Sequence, residues 1–214
     1  MTEAVAGAVR PDETALIARL RDGDEATFQV LVADFYPSML AVARAYVRSR
    51  AVAEEVVQEA WVGVLKGLER FEGRSTLRTW VLRIVANVAR TRAVREARSL
   101  PFSSFAVEGD EPAVDPARFR GPDDPFPGHW RSFPTDWRRL PEERLTSLET
   151  IELVKAAIEE LPEAQRIVIT MRDVAGLSSE EVCDALDITA GNQRVLLHRA
   201  RARVREALER HLDA

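Results

Sequence analysis

Near the C-terminus the stretch NQRVLLHRARARVR, residues 192–205, holds five arginines and no acidic side chain, in a chain whose formal net charge is −5. Guanidinium groups at that density suit a polyanion. Each can pair a phosphate or read guanine bidentately, and Asn192 and Gln193 can reach adenine or phosphate. A second basic block, residues 73–99, carries seven arginines against Glu96 alone. Its Arg74, Arg78, Arg83 and Arg90 are interleaved with Phe71, Trp80 and Asn87. Cations that hold phosphates beside aromatics that stack on bases point to single-stranded or opening DNA; burial of Phe71 and Trp80 in a core is the equally weighted alternative. A third cluster has the opposite sign. In AEEVVQEAW, Glu54, Glu55 and Glu59 lie within about one and a half helical turns, beside Gln58 and Trp61. Carboxylates with no nucleophile or metal ligand nearby do not make a catalytic set, so no enzyme is expected. An acidic helix end beside an exposed aromatic fits a protein-binding patch.

The rest of the composition narrows the field. Residues 1–72, 100–148 and 149–187 sum to −4, −3 and −7. The basic blocks therefore stand out as two separate contacts with a polyanion, flanked by surfaces suited to something else. A single cysteine, Cys183, excludes an internal disulfide and cannot anchor zinc by itself. His129, His198 and His211 are scattered without metal-ligand spacing, so neither metal nor cofactor is expected. No stretch approaches about 18 uninterrupted apolar residues and no basic segment with an apolar run opens the chain, which predicts a cytoplasmic protein without membrane insertion.

The elements that must position these groups read as all-α. Apolar spacing of three and four predicts helices over 12–22, over Asp24 to Arg48 with a bend at Pro37, over 51–70 and over 76–97. Val56, Val57, Val64 and Leu68 form the inner side of the third, and Leu77, Val81, Ile84 and Val88 a stripe on the fourth with Trp80 at its edge. Residues 100–148 break the pattern with 8 of the 11 prolines and 7 of the 14 aromatics. Prolines at that density exclude a regular helix, and aromatics are unusual in a solvated linker, so parts of it are expected to dock on a surface. Helices resume over 147–160 and 162–174, the latter stopped by Gly176. Ser178 and Glu181 then form a capping box stapled by Leu177 and Val182, opening a helix over 178–186. Thr189 is the expected N-cap of a last helix over 190–208. Two helices joined by so short a turn fit a helix-turn-helix. In the second, Leu197, Ala200, Val204 and Leu208 form the buried seam with Leu196 flanking, while Arg194, His198, Arg199, Arg203 and Arg205 face outward with Arg201 at their edge. The expected layout is an N-terminal tail 1–11, a domain 12–98, a linker 99–146, a domain 147–210 and a tail 211–214.

Taken in order, AEEVVQEAW, FEGRSTLRTWVLRIVANVAR, ELPEAQRIVITMRDVAGLSSEEVCDAL and ITAGNQRVLLHRARARVR resemble the bacterial sigma-70 family, and within it the small extracytoplasmic-function (ECF) group. The resemblance implies two small helical domains, a region 2 bundle and a region 4 helix-turn-helix, joined here by a long Pro- and aromatic-rich linker. It implies a promoter-specificity subunit that binds core RNA polymerase through the β′ clamp helices and the β flap, recognises promoter DNA at −10 and −35, and often has an anti-sigma partner. By position, Glu55, Gln58 and Glu59 with Trp61 fall in the polymerase-binding motif. Phe71, Gly73, Ser75 and Asn87 fall where a flipped −10 base is held. Arg194 and Arg199 fall at base-reading positions for −35, among Thr189, Asn192, Gln193, Val195, His198 and Arg203. Val195 and Leu196 stand where many relatives carry polar groups, and the connector is longer than usual for the group. A free-standing helix-turn-helix regulator, needing only the C-terminal module, is the alternative.

Overall fold

The computed structural model describes residues 11–97 and 148–212. The expectations for residues 1–10 and 213–214 of the tails, for the linker over 99–146 and for Arg98 of the second basic block lie outside those residues, whereas Pro11, His211 and Leu212 of the expected tails are helical. Among the described residues every regular element is helical and no strand occurs.

Helix α1 (Pro11–Arg21) opens on a proline, whose fixed φ and missing N–H suit a first turn. It is stopped by Gly23 at φ +79°. Gly23 N donates to Leu20 O at 3.2 Å and Asp24 N to Arg19 O at 3.1 Å, the paired bonds of a left-handed glycine stop. Asp24 caps the next helix at once. Its carboxylate accepts Thr27 N at 3.0 Å and is bridged by Arg19 at 2.6 Å. The Thr27 amide, then Arg19 and the Thr27 hydroxyl, hold its pKa down at about 2.

Helix α2 (Glu25–Tyr46) runs through Pro37 without ending there. One 18-residue window has a mean hydropathy of 1.3, long and apolar enough to cross a membrane by length and composition alone. The helix buries Leu31, Phe35, Met39 and Val42 against α3 (Arg50–Gly67) and α4 (Leu77–Ala97). A 3-10 turn, Leu68–Arg70, follows α3. Val56, Val57, Val64 and Leu68 are buried as the spacing predicts. On α4 the buried face is Leu77, Val81, Leu82, Val85, Ala86 and Ala89, with Ile84 and Val88 only half-buried. The expected stripe is too narrow because α4 is packed by both α2 and α3. Glycine lets α3 approach closely: a Cβ on Gly67 would sit 2.9 Å from Trp80 Cζ2, and one on Gly63 3.2 Å from Ile84 Cγ2.

In the C-terminal half, α5 (Leu148–Glu159) leads to α6 (Glu163–Ile169). The expected helix over 162–174 is α-helical only to Ile169; Thr170–Val174 widen into a π turn, with Ala175 N bonded to Thr170 O at 2.8 Å. Gly176 at φ +75° ends it. Helices α7 (Ser179–Leu186) and α8 (Ala190–Leu212) follow.

The chain groups into two compact units, the described parts of which are 11–97 with 170–190, and 148–169 with 191–212. The grouping cuts across the expected domain 147–210, because the π turn packs on α2 and α7 on α4. In the first unit Met171, Ala175, Leu177 and Val182 are buried. In the second, Ile167, Val168, Leu196, Leu197, Ala200, Val204 and Leu208 are buried. There Arg166 is also buried, and its guanidinium caps the end of α5 by donating to Leu161 O at 3.0 Å.

Candidate nucleic-acid and partner interfaces

The loop between α3 and α4 is short and shaped by its backbone. Phe71 leaves the 3-10 turn, Gly73 takes φ +69°, and Thr76 caps α4 by accepting Thr79 N at 3.2 Å. Phe71 is 8% exposed, its ring 4.8 Å from that of Trp80. Of the two readings open for Phe71, the core one matches this structure, in which the ring is buried against Trp80. Arg74 is exposed and paired with Glu72 at 2.5 Å, and Ser75 is half-buried, donating to Thr76 O at 3.3 Å.

Along α4, Arg83 and Asn87 are exposed and Arg90 donates to Asn87 Oδ1 at 3.0 Å. This makes about two turns of surface offering amide and guanidinium together. Arg78 departs from the expected outward set. Its guanidinium donates to Ser38 Oγ at 2.7 Å and to Ala175 O at 3.2 Å, and lies 5.7 Å over the Phe35 ring. It is half-buried and held by α2 and by the turn after the π segment.

On α3 the acidic cluster divides. Glu54 is tied to Arg50 at 2.9 Å, and Glu55 is paired with Arg92 of α4. Gln58 and Glu59 are exposed. Trp61, expected as an exposed edge, is half-buried with its ring edge-on to Phe28 at 5.4 Å, and its indole N–H is buried with no hydrogen-bond partner among the described residues. The apolar part of the face is instead Val62 and Leu65, 49% and 54% exposed. They were missed because a lone Val or Leu in a helix reads as core; only their spacing from Gln58, at i+4 and i+7, marks the outward face.

Helix α7 opens as its sequence requires. Ser178 accepts Glu181 N at 3.2 Å and donates its own N–H to Glu181 Oε2 at 2.7 Å. The Glu181 carboxylate also takes the hydroxyls of Thr79 and, at 3.4 Å, of Thr76 on α4. Burial pushes its pKa up, but the hydrogen bonds from Thr79, Ser178 and Thr76 outweigh that and leave it below the ordinary glutamate value.

On α8 the outward stripe is Arg194, His198, Arg201 and Arg205, all exposed, with Val195 at 38% beside it. Arg199 and Arg203 are half-buried on the flank, so the outward arc lies nearer Arg201 than the sequence pattern placed it. Thr189 is exposed at the helix start and Asn192 half-buried. Gln193 is only 3% exposed, so its side chain packs inward and is not presented to a groove here. Among the described residues no group of His, Cys, Asp and Glu could hold a metal ion.

Two family models match the chain: Sigma-70 region 2 over residues 31–99 and Sigma-70, region 4 over residues 151–204. The ECF RNA polymerase sigma-E factor of Escherichia coli K12 is 31% identical over 189 residues, covering 88% of this chain and 90% of that one. This chain belongs to the ECF sigma factors of the sigma-70 family. The sigma-E factor of Haemophilus influenzae is 27% identical, covering 92% of this chain and 95% of its own. Two solved structures share the fold: CnrH in complex with the cytosolic domain of CnrY (TM-score 0.55, 19% identity, 92% and 96% covered), and the sigma factor RpoE in complex with the anti-sigma factor NepR from Bartonella quintana (TM-score 0.56, 20% identity, 85% and 96% covered). The match over 31–99 removes the support for a free-standing helix-turn-helix regulator, which would need only the C-terminal module. As an ECF sigma factor, the protein works with RNA polymerase in promoter-directed initiation.

Proposed function

We propose that this ECF sigma factor divides promoter recognition between its two basic surfaces and leaves polymerase docking to α3. The outward stripe of α8 enters the major groove at −35, with Arg194 and Arg201 as readers and Val195 placed for a thymine methyl. The loop 71–76 and the Arg83–Asn87–Arg90 face of α4 take the −10 strand as it opens. A base leaving the stack costs a few kcal/mol, so contacts that hold it set where melting starts. The face Glu55, Gln58, Glu59, Val62 and Leu65 docks on the polymerase. The protein has no catalysis of its own and acts in the cytoplasm, where polymerase and chromosome are. The two solved structures each hold a bound protein partner, in one an anti-sigma factor, and for this chain we propose regulation by an anti-sigma partner that covers these surfaces.

The observation that carries the reading is the sidedness of α8: a buried Leu197, Ala200, Val204 and Leu208 seam opposite four exposed cationic or titratable groups. The test is transcription with added core polymerase on upstream regions that the protein selects. Promoter-specific transcripts are expected. Glu55→Arg with Gln58→Ala should abolish them by weakening polymerase affinity while DNA-binding residues are untouched; unchanged polymerase affinity overturns the docking assignment.

A further inference from the structure

Helix α1 lies outside the region 2 match, yet it holds both ends of the loop assigned above to the −10 strand. At the loop's entrance the Arg21 guanidinium donates to Leu68 O from Nε at 3.2 Å and from Nη2 at 3.1 Å, and to Phe71 O from Nη2 at 2.7 Å. Leu68 is the C-cap of α3 and Phe71 the C-cap of the 3-10 turn, so both carbonyls lie at helix C-termini, which carry partial negative charge. At the loop's exit Glu13 Oε1 accepts Leu77 N at 2.5 Å, one of the orphan donors of the first turn of α4. A carboxylate on an N-terminal amide and a guanidinium on C-terminal carbonyls are each the favoured sign for their helix end.

Glu13 and Arg21 share a face with Ile17 and Leu20, which are buried. Eight residues of helix separate the two charges by roughly 12 Å of rise. The helix is stopped by Gly23 and fixed to α2 through the Arg19–Asp24 pair, so it is a short rod secured along its apolar face and at its end. The segment between the two clamped points, Glu72 to Ser75, holds the left-handed Gly73 and is exposed or half-buried throughout.

We infer that α1 is a brace for the promoter-opening loop, with Glu13 and Arg21 as positioning residues that set the span between the loop's two ends. Neither touches DNA. Both act through the backbone of Leu68, Phe71 and Leu77. The inference rests on the −10 assignment of the loop proposed above.

The test uses full-length protein with Glu13→Gln, Arg21→Lys and Arg21→Gln. Amide exchange of residues 72–77 in the free protein should quicken by about tenfold for Arg21→Gln, as expected when a charge-assisted hydrogen bond is lost, with exchange in the interior of α2 and α3 unchanged. Arg21→Lys, a point charge that cannot span both carbonyls, should fall between. In the holoenzyme, permanganate reactivity of −10 thymines on a promoter used by the wild type should drop in the same order, at unchanged polymerase affinity. Loop exchange equal to wild type in all variants overturns the brace. Faster loop exchange with undiminished promoter opening upholds the brace and overturns the −10 assignment beneath it. Arg21→Gln is the variant at risk of not folding; Glu13→Gln, which keeps an acceptor and loses only charge, carries the same exchange test.

Discussion

The indole of Trp80 leaves no room for a methyl group on Gly67, whose added Cβ would lie 2.9 Å from the ring. The Trp80 ring also packs against Phe71 at 4.8 Å, so moving it would disturb the 71–76 loop. Gly67→Ala should therefore cost about 1–3 kcal/mol as overpacking, read as a lower urea midpoint. Gly63→Ala is the control. Its Cβ would meet only Ile84 Cγ2 at 3.2 Å, and the helix-propensity gain of about 1 kcal/mol offsets that contact, so the midpoint should barely move. The sequence made Trp80 visible as an aromatic among arginines, but not which side of it was buried. Close approach of two helices needs a glycine opposite a ring, and nothing periodic along one helix announces the other. The same limit applies to Phe71, for which residue type left base contact and core burial equally open, and to Gln193, for which it suggested base contact; tertiary packing put both inside.

Helix α7 shows what local chemistry can specify by itself. Ser178, Glu181, Leu177 and Val182 were legible as cap and staple because every partner lies within five residues, and both reciprocal bonds are present. The hydroxyls of Thr79 and Thr76 on the same carboxylate come from about a hundred residues away and were not legible. They give this helix start a pH dependence. The Glu181 pKa is depressed on folding, so its contribution is complete above the unfolded glutamate value and is lost as pH falls through the folded one. Stability measured by urea midpoint should fall over that acid window, and Glu181→Gln should flatten this limb while lowering stability at neutral pH. A profile unchanged by the substitution would mean that the threonine bonds are unimportant in solution. Phase was the weak point for α8. Its seam matches the spacing, yet the half-burial of Arg199 and Arg203 turns the outward arc toward Arg201, which spacing alone could not resolve.

At the scale of the whole molecule, an acidic chain with two basic surfaces fits the division of labour proposed above. The net charge of −5 opposes binding to DNA at long range, so on that proposal the arginine faces would act only where they are brought close. In the holoenzyme, Arg194→Ala should cost about 1–3 kcal/mol of −35 discrimination and leave affinity for a single-stranded −10 oligonucleotide intact. Arg83→Ala should do the reverse, weakening the single strand and lowering the slope of log K against log salt by about 1. Equal losses of both substitutions on both probes would refute the division. All-α character and the order of the helices were readable from spacing, and the charge map located both basic surfaces. The compact grouping of 170–190 with the first bundle was not readable, because it depends on which apolar faces meet.

The position of Glu13 and Arg21 also bears on protein engineering. Promoter specificity is an attractive quantity to transplant, and the family match suggests cutting at residue 31. A chimera assembled on that boundary would carry the opening loop and leave both of its clamps behind. Donor segments should begin before Pro11, so that the loop travels with the rod that sets its span.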